Sequence, residues 1–153
     1  MTSTEQIMVR AERQCKERGV RLTPKRKQIL RGLLQSQTAL SAYELVDYCS
    51  KKSGQTIPAM SVYRILDFLQ GEQLVHKLNV ANKYVACSHI ACDHDHEVPQ
   101  FLICSKCLRV EEISVKQSTI KALQRNVLEA GFHLLTPQLE MNCLCDTCMN
   151  SAA

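Results

Sequence analysis

The chain has 153 residues, a formal net charge of +4, nine cysteines and no tryptophan. This length allows one or two small domains, each with its own hydrophobic core. No apolar run approaches the length of a membrane-spanning helix, so we expect no membrane association. The sequence has no secretory signal pattern, which predicts a cytoplasmic protein in a reducing compartment where disulfides do not persist.

The charged residues are divided unevenly along the chain. Residues 1–83 carry 14 Lys and Arg against 7 Asp and Glu, whereas residues 84–153 carry 5 against 8. The second segment also holds seven of the nine cysteines and four of the five histidines. This division predicts two domains, 1–83 for binding a polyanion and 84–153 for binding metal.

The basic half is predicted to begin with three helices. The first covers residues 5–18, and the second follows Thr23 as its N-cap with Pro24 at its first position. Ser41 and Glu44 form a capping box that opens the third. We expect four cationic residues on the exposed side of the second helix: Lys25, Arg26, Lys27 and Arg31.

A fourth helix, over about residues 59–70, is followed by two short strands, 74–78 and 83–87. Its apolar residues repeat at i, i+3, i+4 and i+7 and must face the core, which leaves Arg64 on the outside. Helices followed by a β-hairpin are typical of a winged helix-turn-helix, in which such a helix enters the major groove of DNA. Arg64 is then placed to read a guanine edge, although a plain surface arginine is the alternative interpretation.

The acidic half contains two C-x-x-C pairs, formed by Cys104, Cys107, Cys145 and Cys148. Each pair aims two thiols at one point, and four thiolates suit a tetrahedral zinc ion. Unrelated buried thiols, a disulfide framework and a redox site are the alternatives. A thioredoxin-like site would follow a strand in a βαβ unit, and neither pair has that setting.

The segment between the two pairs is predicted to form a β-β-α-β unit. Its strands cover residues 101–103, 108–113 and 132–141, and a helix over 115–130 begins at a capping box on Ser114. A three-stranded sheet has exposed edges, so we expect two copies to pair as a two-fold dimer.

A second cluster of metal-ligand types lies at residues 87–97, where two Cys, three His and three acidic residues occur within 11 positions. Thiolate, imidazole and carboxylate together are a plausible site for zinc or another transition metal. A tetrahedral ion takes four ligands, so not every member of this cluster can bind it.

The chain resembles the ferric uptake regulator (Fur) superfamily of metal-dependent repressors, from about residue 5 to 149. The matching stretches are residues 21–24 (RLTP), 62–66 (VYRIL), 74–77 (LVHK) and both C-x-x-C pairs. Residues 41–45 (SAYEL), 63–69 (YRILDFL) and 75–78 (VHKL) resemble the zinc uptake regulator (Zur) subgroup in particular.

The resemblance implies an α+β fold, with an N-terminal winged helix-turn-helix domain followed by a small α/β dimerisation domain that carries a four-cysteine zinc site. It implies a zinc-responsive repressor of zinc uptake genes, with zinc as corepressor, and no enzymatic activity. The implied partners are a second copy of the chain and a palindromic double-stranded DNA operator. The resemblance also implies two zinc ions per chain.

Residue roles follow from the same resemblance. Tyr43 and Arg64 match positions that contact DNA bases. The structural zinc would be held by Cys104, Cys107, Cys145 and Cys148. The sensed zinc would be held by His76, Cys87, His96 and Glu112.

Several alternatives stay open at this stage. His94 competes with His96 for one ligand role, Cys92 is an extra candidate, and Cys143 could replace a thiol of the structural site. An iron- or peroxide-responsive repressor on the same fold is the main alternative function, although the Cys87 thiolate favours zinc because iron and manganese prefer N/O ligands. A C-x-x-C redox protein and a zinc-storage module without a DNA role are further alternatives.

Overall fold

The computed structural model describes residues 3–79, 81–90 and 98–151 of the chain. The chain divides into two compact units, Met1–Cys92 and Asp93–Ala153. The predicted boundary between residues 83 and 84 would cut the strand Lys83–Ala86 after its first residue, whereas this whole strand pairs with the preceding one and lies in the first unit. Within the described ranges, no helix combines the length and apolar character needed to cross a bilayer.

Four helices form most of the first unit: α1 (Thr4–Glu17), α2 (Pro24–Gln35), α3 (Ala42–Ser53) and α4 (Ala59–Gly71). The predicted N-caps are confirmed. The Thr23 hydroxyl accepts the amide of Arg26 at 3.4 Å. The Ser41 hydroxyl accepts the amide of Glu44 at 3.1 Å, and the Glu44 carboxylate accepts the amide of Ser41 at 3.4 Å. These side chains satisfy amide groups that have no partner inside the helix.

The apolar stripes of the helices meet in one core. Its fully buried members include Ile29 and Leu30 of α2, Leu45 of α3, and Val62, Leu66 and Leu69 of α4. Each buried aliphatic side chain of this kind stabilises the fold by roughly 1.5–3 kcal/mol. The Tyr48 ring of α3 packs onto Gly32 of α2, where an added Cβ would lie only 2.9 Å from the ring. Any side chain at position 32 would therefore require the Tyr48 ring to shift.

An antiparallel hairpin, β1 (Val75–Leu78) and β2 (Lys83–Ala86), completes the first unit. Leu40 and Tyr84 exchange backbone hydrogen bonds of 3.0 and 2.8 Å. The hairpin is therefore tied to the residue that precedes the N-cap of α3. Four helices followed by this hairpin confirm the predicted winged helix-turn-helix arrangement.

The second unit contains β3 (Pro99–Cys104), β4 (Val110–Ser114), α5 (Gln117–Glu129), β5 (Glu140–Cys143) and α6 (Asp146–Asn150). The strands form one sheet in the order β4-β3-β5, with β3 antiparallel to β4 and parallel to β5. Phe101 of β3 and Ile120 of α5 are buried. The predicted β-β-α-β order and the α+β fold class are confirmed.

Two details of the second unit were predicted wrongly. Lys116, not Ser114, is the N-cap of α5, and it provides no side-chain cap; Ser114 is instead the last residue of β4. The predicted strand over residues 132–141 is only Glu140–Cys143. Leu135 is 92% exposed, so the apolar residues of this segment do not mark a buried strand.

Candidate metal centre and nucleic-acid interface

The parallel pairing of β3 and β5 brings the two C-x-x-C pairs together. Cys104 ends β3 opposite Cys143, the last residue of β5, and the amide of Ser105 donates to the Cys143 carbonyl at 2.9 Å. A turn after Cys104 supplies Cys107. The chain then passes from β5 to Cys145, the N-cap of α6, and to Cys148 within that helix.

The four sulfurs of Cys104, Cys107, Cys145 and Cys148 all lie within 4.8 Å of one another. The Cys107 and Cys145 sulfurs are 3.7 Å apart. Zinc–sulfur bonds of about 2.3 Å in a tetrahedron would place sulfurs about 3.8 Å apart, so the spacing suits a tetrahedral four-sulfur ion. Cys143 does not belong to this group of four, although it lies opposite Cys104 in the sheet.

The thiols of this cluster differ in their tendency to ionise. Hydrogen bonds from the backbone amides of Cys145 and Cys107 lower the pKa of Cys104 to about 5. A hydrogen bond with the Cys145 side chain, followed by burial, raises the pKa of Cys148 to about 12. Cys104 therefore ionises readily, whereas the neighbouring sulfurs disfavour ionisation of Cys148. A bound divalent cation would favour the thiolate form of all four cysteines, so the donor set fits a thiolate-binding metal.

Two residues of the predicted sensing set lie close together in the first unit. His76 belongs to β1, and Cys87 directly follows β2, where its amide donates to the Leu74 carbonyl at 2.9 Å. A ring nitrogen of His76 and the sulfur of Cys87 are within 4.8 Å of each other. The pairing of β1 with β2 produces this approach, because Val75 lies opposite Ala86.

The other members of the sensing set are placed differently. Glu112 lies in β4 of the second unit, where it is half-buried and opposite Phe101. His96, together with the alternative candidates His94 and Cys92, lies outside the described residues. The complete sensing set therefore stays a prediction.

The predicted DNA-contacting residues lie on exposed parts of α3 and α4. Arg64 is exposed on α4. Tyr43, in the first turn of α3, is 67% exposed, and its ring meets that of Tyr63 edge to face, with 6.5 Å between the ring centroids. Tyr63 directly precedes Arg64 in α4. Its contact with Tyr43 helps to set the positions of the Tyr43 and Tyr63 side chains.

Two contacts also hold the C-terminal part of α4 in place. The Arg26 guanidinium lies over the ring of Phe68 at 3.6 Å from the centroid, and it donates to the Arg21 carbonyl at 2.6 Å. Arg18 pairs with Glu72, the C-cap of this helix, at 3.3 Å. Cation–π contacts of this kind stabilise by about 0.5–2 kcal/mol, depending on how far the cation is desolvated.

The predicted exposed cationic side of α2 is correct only for Lys25. Arg26, Lys27 and Arg31 are half-buried, because each contacts a neighbouring element. Lys27 pairs with Glu12 at 2.8 Å, and Arg31 pairs with a carboxylate of α1 at 3.1 Å. Helical periodicity separates the apolar face from the polar face, but it does not identify a cation that lies over another helix.

The comparison with known proteins agrees with this architecture. Residues 17–142 match the Ferric uptake regulator family. The chain is 34% identical over 152 residues to the zinc uptake regulation protein of Escherichia coli (strain K12), covering 99% of this chain and 86% of that protein. It is 31% identical over 139 residues to the ferric uptake regulation protein of Synechococcus elongatus, covering 88% and 90% of the two chains.

A similar solved structure is described as a zinc uptake regulator complexed with zinc and DNA. The two structures have a TM-score of 0.82 at 32% sequence identity, covering 98% of this chain and 97% of the other. The family match spans most of the sequence, and the fold agrees with it along nearly the full length. The chain therefore belongs to the Ferric uptake regulator family.

Proposed function

We propose that this protein is a zinc-responsive, DNA-binding transcriptional repressor of zinc uptake genes, with zinc as corepressor and a cytoplasmic location. The observation that carries the proposal is the 34% identity to the zinc uptake regulation protein of Escherichia coli over 99% of the chain. The four-sulfur cluster supports zinc binding, because clustered thiolates select zinc over the hard metals that prefer oxygen ligands.

We assign two zinc ions to each chain. The structural ion would be held by the four thiolates of Cys104, Cys107, Cys145 and Cys148. It would tie the end of β3 to the start of α6 and so contribute directly to the folding free energy. We assign the sensed ion to His76, Cys87, His96 and Glu112. The proximity of His76 to Cys87 in the first unit supports the first half of that set.

DNA binding would use the exposed face of α4 in the major groove, with the hairpin beside the backbone. Arg64 would donate two hydrogen bonds to a guanine edge, and Tyr43 would contact a neighbouring base. The active species would be a homodimer on a palindromic operator. Exposed apolar side chains of the second unit support the burial of this surface by a second copy: Leu108, Leu128, Phe132 and Leu135.

The test is DNA binding at buffered free zinc, iron(II) and manganese(II), with metal content measured in parallel. We expect tight operator binding with zinc and weak binding without it. Tightening with iron or manganese but not zinc would favour the iron-responsive alternative, which the 31% identity to a ferric uptake regulation protein keeps in view.

The Arg64→Ala variant tests the assigned reading residue in the same assay. It should weaken operator binding by about 1–3 kcal/mol, with a smaller loss on random DNA, and leave zinc content intact. Arg125→Ala, which removes an exposed arginine from α5 of the second unit, is the matched control and should bind as the wild type does. An equal loss on operator and random DNA would mean that Arg64 contacts only phosphate.

A further inference from the structure

Met60 and Arg64 lie one helical turn apart on the face of α4 that points away from the core. At 3.6 residues per turn, two positions four residues apart differ by only about 40° around the helix axis. The buried residues of α4 lie on the opposite side, at Val62, Ile65, Leu66 and Leu69. Met60 is 67% exposed, although it is large and apolar.

The position of Met60 along the helix indicates what its exposed side chain could contact. It is the second residue of α4, which begins at Ala59 after Pro58. Recognition helices of this motif contact base edges with the residues near their N-terminus. A side chain at this point, on the same face as Arg64, is placed to reach the floor of the groove that Arg64 enters.

The chemistry of methionine limits what it could contact there. Its thioether has no donor and is only a weak acceptor, so methionine is poorly suited to hydrogen-bonded readout of a base edge. The apolar feature of the major groove is the C5 methyl group of thymine, which apolar side chains recognise by contact. The unbranched side chain can adapt to fill the space around that methyl group.

We propose that Met60 is a specificity-determining residue that contacts a thymine methyl group. The proposal rests on the DNA-binding function proposed above. Four residues of helix advance by about 6 Å, and base pairs are stacked about 3.4 Å apart, so the thymine lies within about two base pairs of the base contacted by Arg64.

The test uses a duplex selected from random-sequence DNA by the zinc-loaded wild-type protein. Each thymine of one half-site is replaced in turn by deoxyuridine, which lacks the methyl group. We expect one replacement near the guanine read by Arg64 to raise the Kd of the wild type about three- to fivefold, the effect of one lost methyl contact. Met60→Ala should bind the methylated duplex more weakly and show no further loss at that position.

Two variants serve as controls. Met60→Leu retains an apolar side chain and should retain most of the deoxyuridine penalty. Val9→Ala truncates an apolar residue of α1 with the same exposed fraction as Met60, and it should reproduce the wild-type profile. Alanine favours helix, so Met60→Ala should fold normally, which far-UV circular dichroism checks.

Each other outcome overturns the proposal. The same deoxyuridine penalty in Met60→Ala and wild type would show that another group contacts the methyl. The absence of any penalty in the wild type would show that no thymine methyl is read. Failure of the proposed function is distinguishable, because the wild type would then select no duplex in a zinc-dependent way, and both proposals would fall together.

Discussion

The side chain of Gln100 hydrogen-bonds to backbone groups in the second unit, where a neighbouring strand would otherwise do so. Its substitution by leucine should destabilise that unit. Gln100 is fully buried, with 0% of its surface exposed. Its Oε1 accepts the amide of Leu139 at 2.6 Å, and its Nε2 donates to the carbonyl of Pro137 at 3.0 Å. One carboxamide therefore hydrogen-bonds to two backbone groups of the segment that leads into β5.

The size of the effect follows from these contacts. Gln100→Leu keeps a similar volume but leaves the Leu139 amide and the Pro137 carbonyl without their side-chain partner. An unsatisfied buried group costs about 1–3 kcal/mol, and Leu139 and Pro137 are only half-buried, which favours the lower end for each. We expect a loss of about 2–3 kcal/mol for the two groups together.

The distribution of aromatic residues gives an assay that separates the two units. All four tyrosines, Tyr43, Tyr48, Tyr63 and Tyr84, lie in the first unit, and the chain has no tryptophan. In urea, tyrosine fluorescence reports the first unit, whereas far-UV circular dichroism reports both. Amide hydrogen exchange at Leu139 reports the hydrogen bond that Gln100 accepts.

We expect Gln100→Leu to lower the stability seen by circular dichroism and to accelerate exchange at Leu139, while the tyrosine transition stays in place. Gln124→Leu, at an exposed position of α5, is the matched control and should change stability by less than about 0.5 kcal/mol. Measurements at one protein and zinc concentration keep assembly and metal linkage constant. Unchanged stability and unchanged exchange at Leu139 in Gln100→Leu would refute the reasoning.

The remaining predictions concern the two metal sites. Cys148→Ser should lose the structural zinc and lower the melting temperature of the second unit, whereas Cys143→Ser should keep the metal; zinc content and thermal melting measure both. Loss of one zinc per chain in Cys143→Ser would place that thiol in the structural site. Cys87→Ser should fold and retain the structural zinc, yet its DNA affinity should no longer increase with zinc, because serine is a poor zinc ligand. An undiminished zinc response in that variant, measured by anisotropy of labelled operator, would remove Cys87 from the sensing set.

The sequence alone identifies most of the helices and the ligand types. The N-caps at Thr23 and Ser41 and the apolar spacing of α4 depend on residues within one or two turns, so local pattern is sufficient to predict them. Each C-x-x-C pair is likewise a local feature. Their combination predicts a four-thiolate site before any strand pairing is known.

Only the tertiary structure decided how distant segments meet. The Cys145 amide lies 3.4 Å from the Cys104 sulfur across a separation of 41 residues, because β5 pairs in parallel with β3. The position of Arg26 over Phe68 and the pairing of Gln100 with Leu139 arise in the same way. These contacts depend on which surfaces pack together once the apolar faces are buried. The spacing of residues within one helix or strand does not determine which other element it packs against.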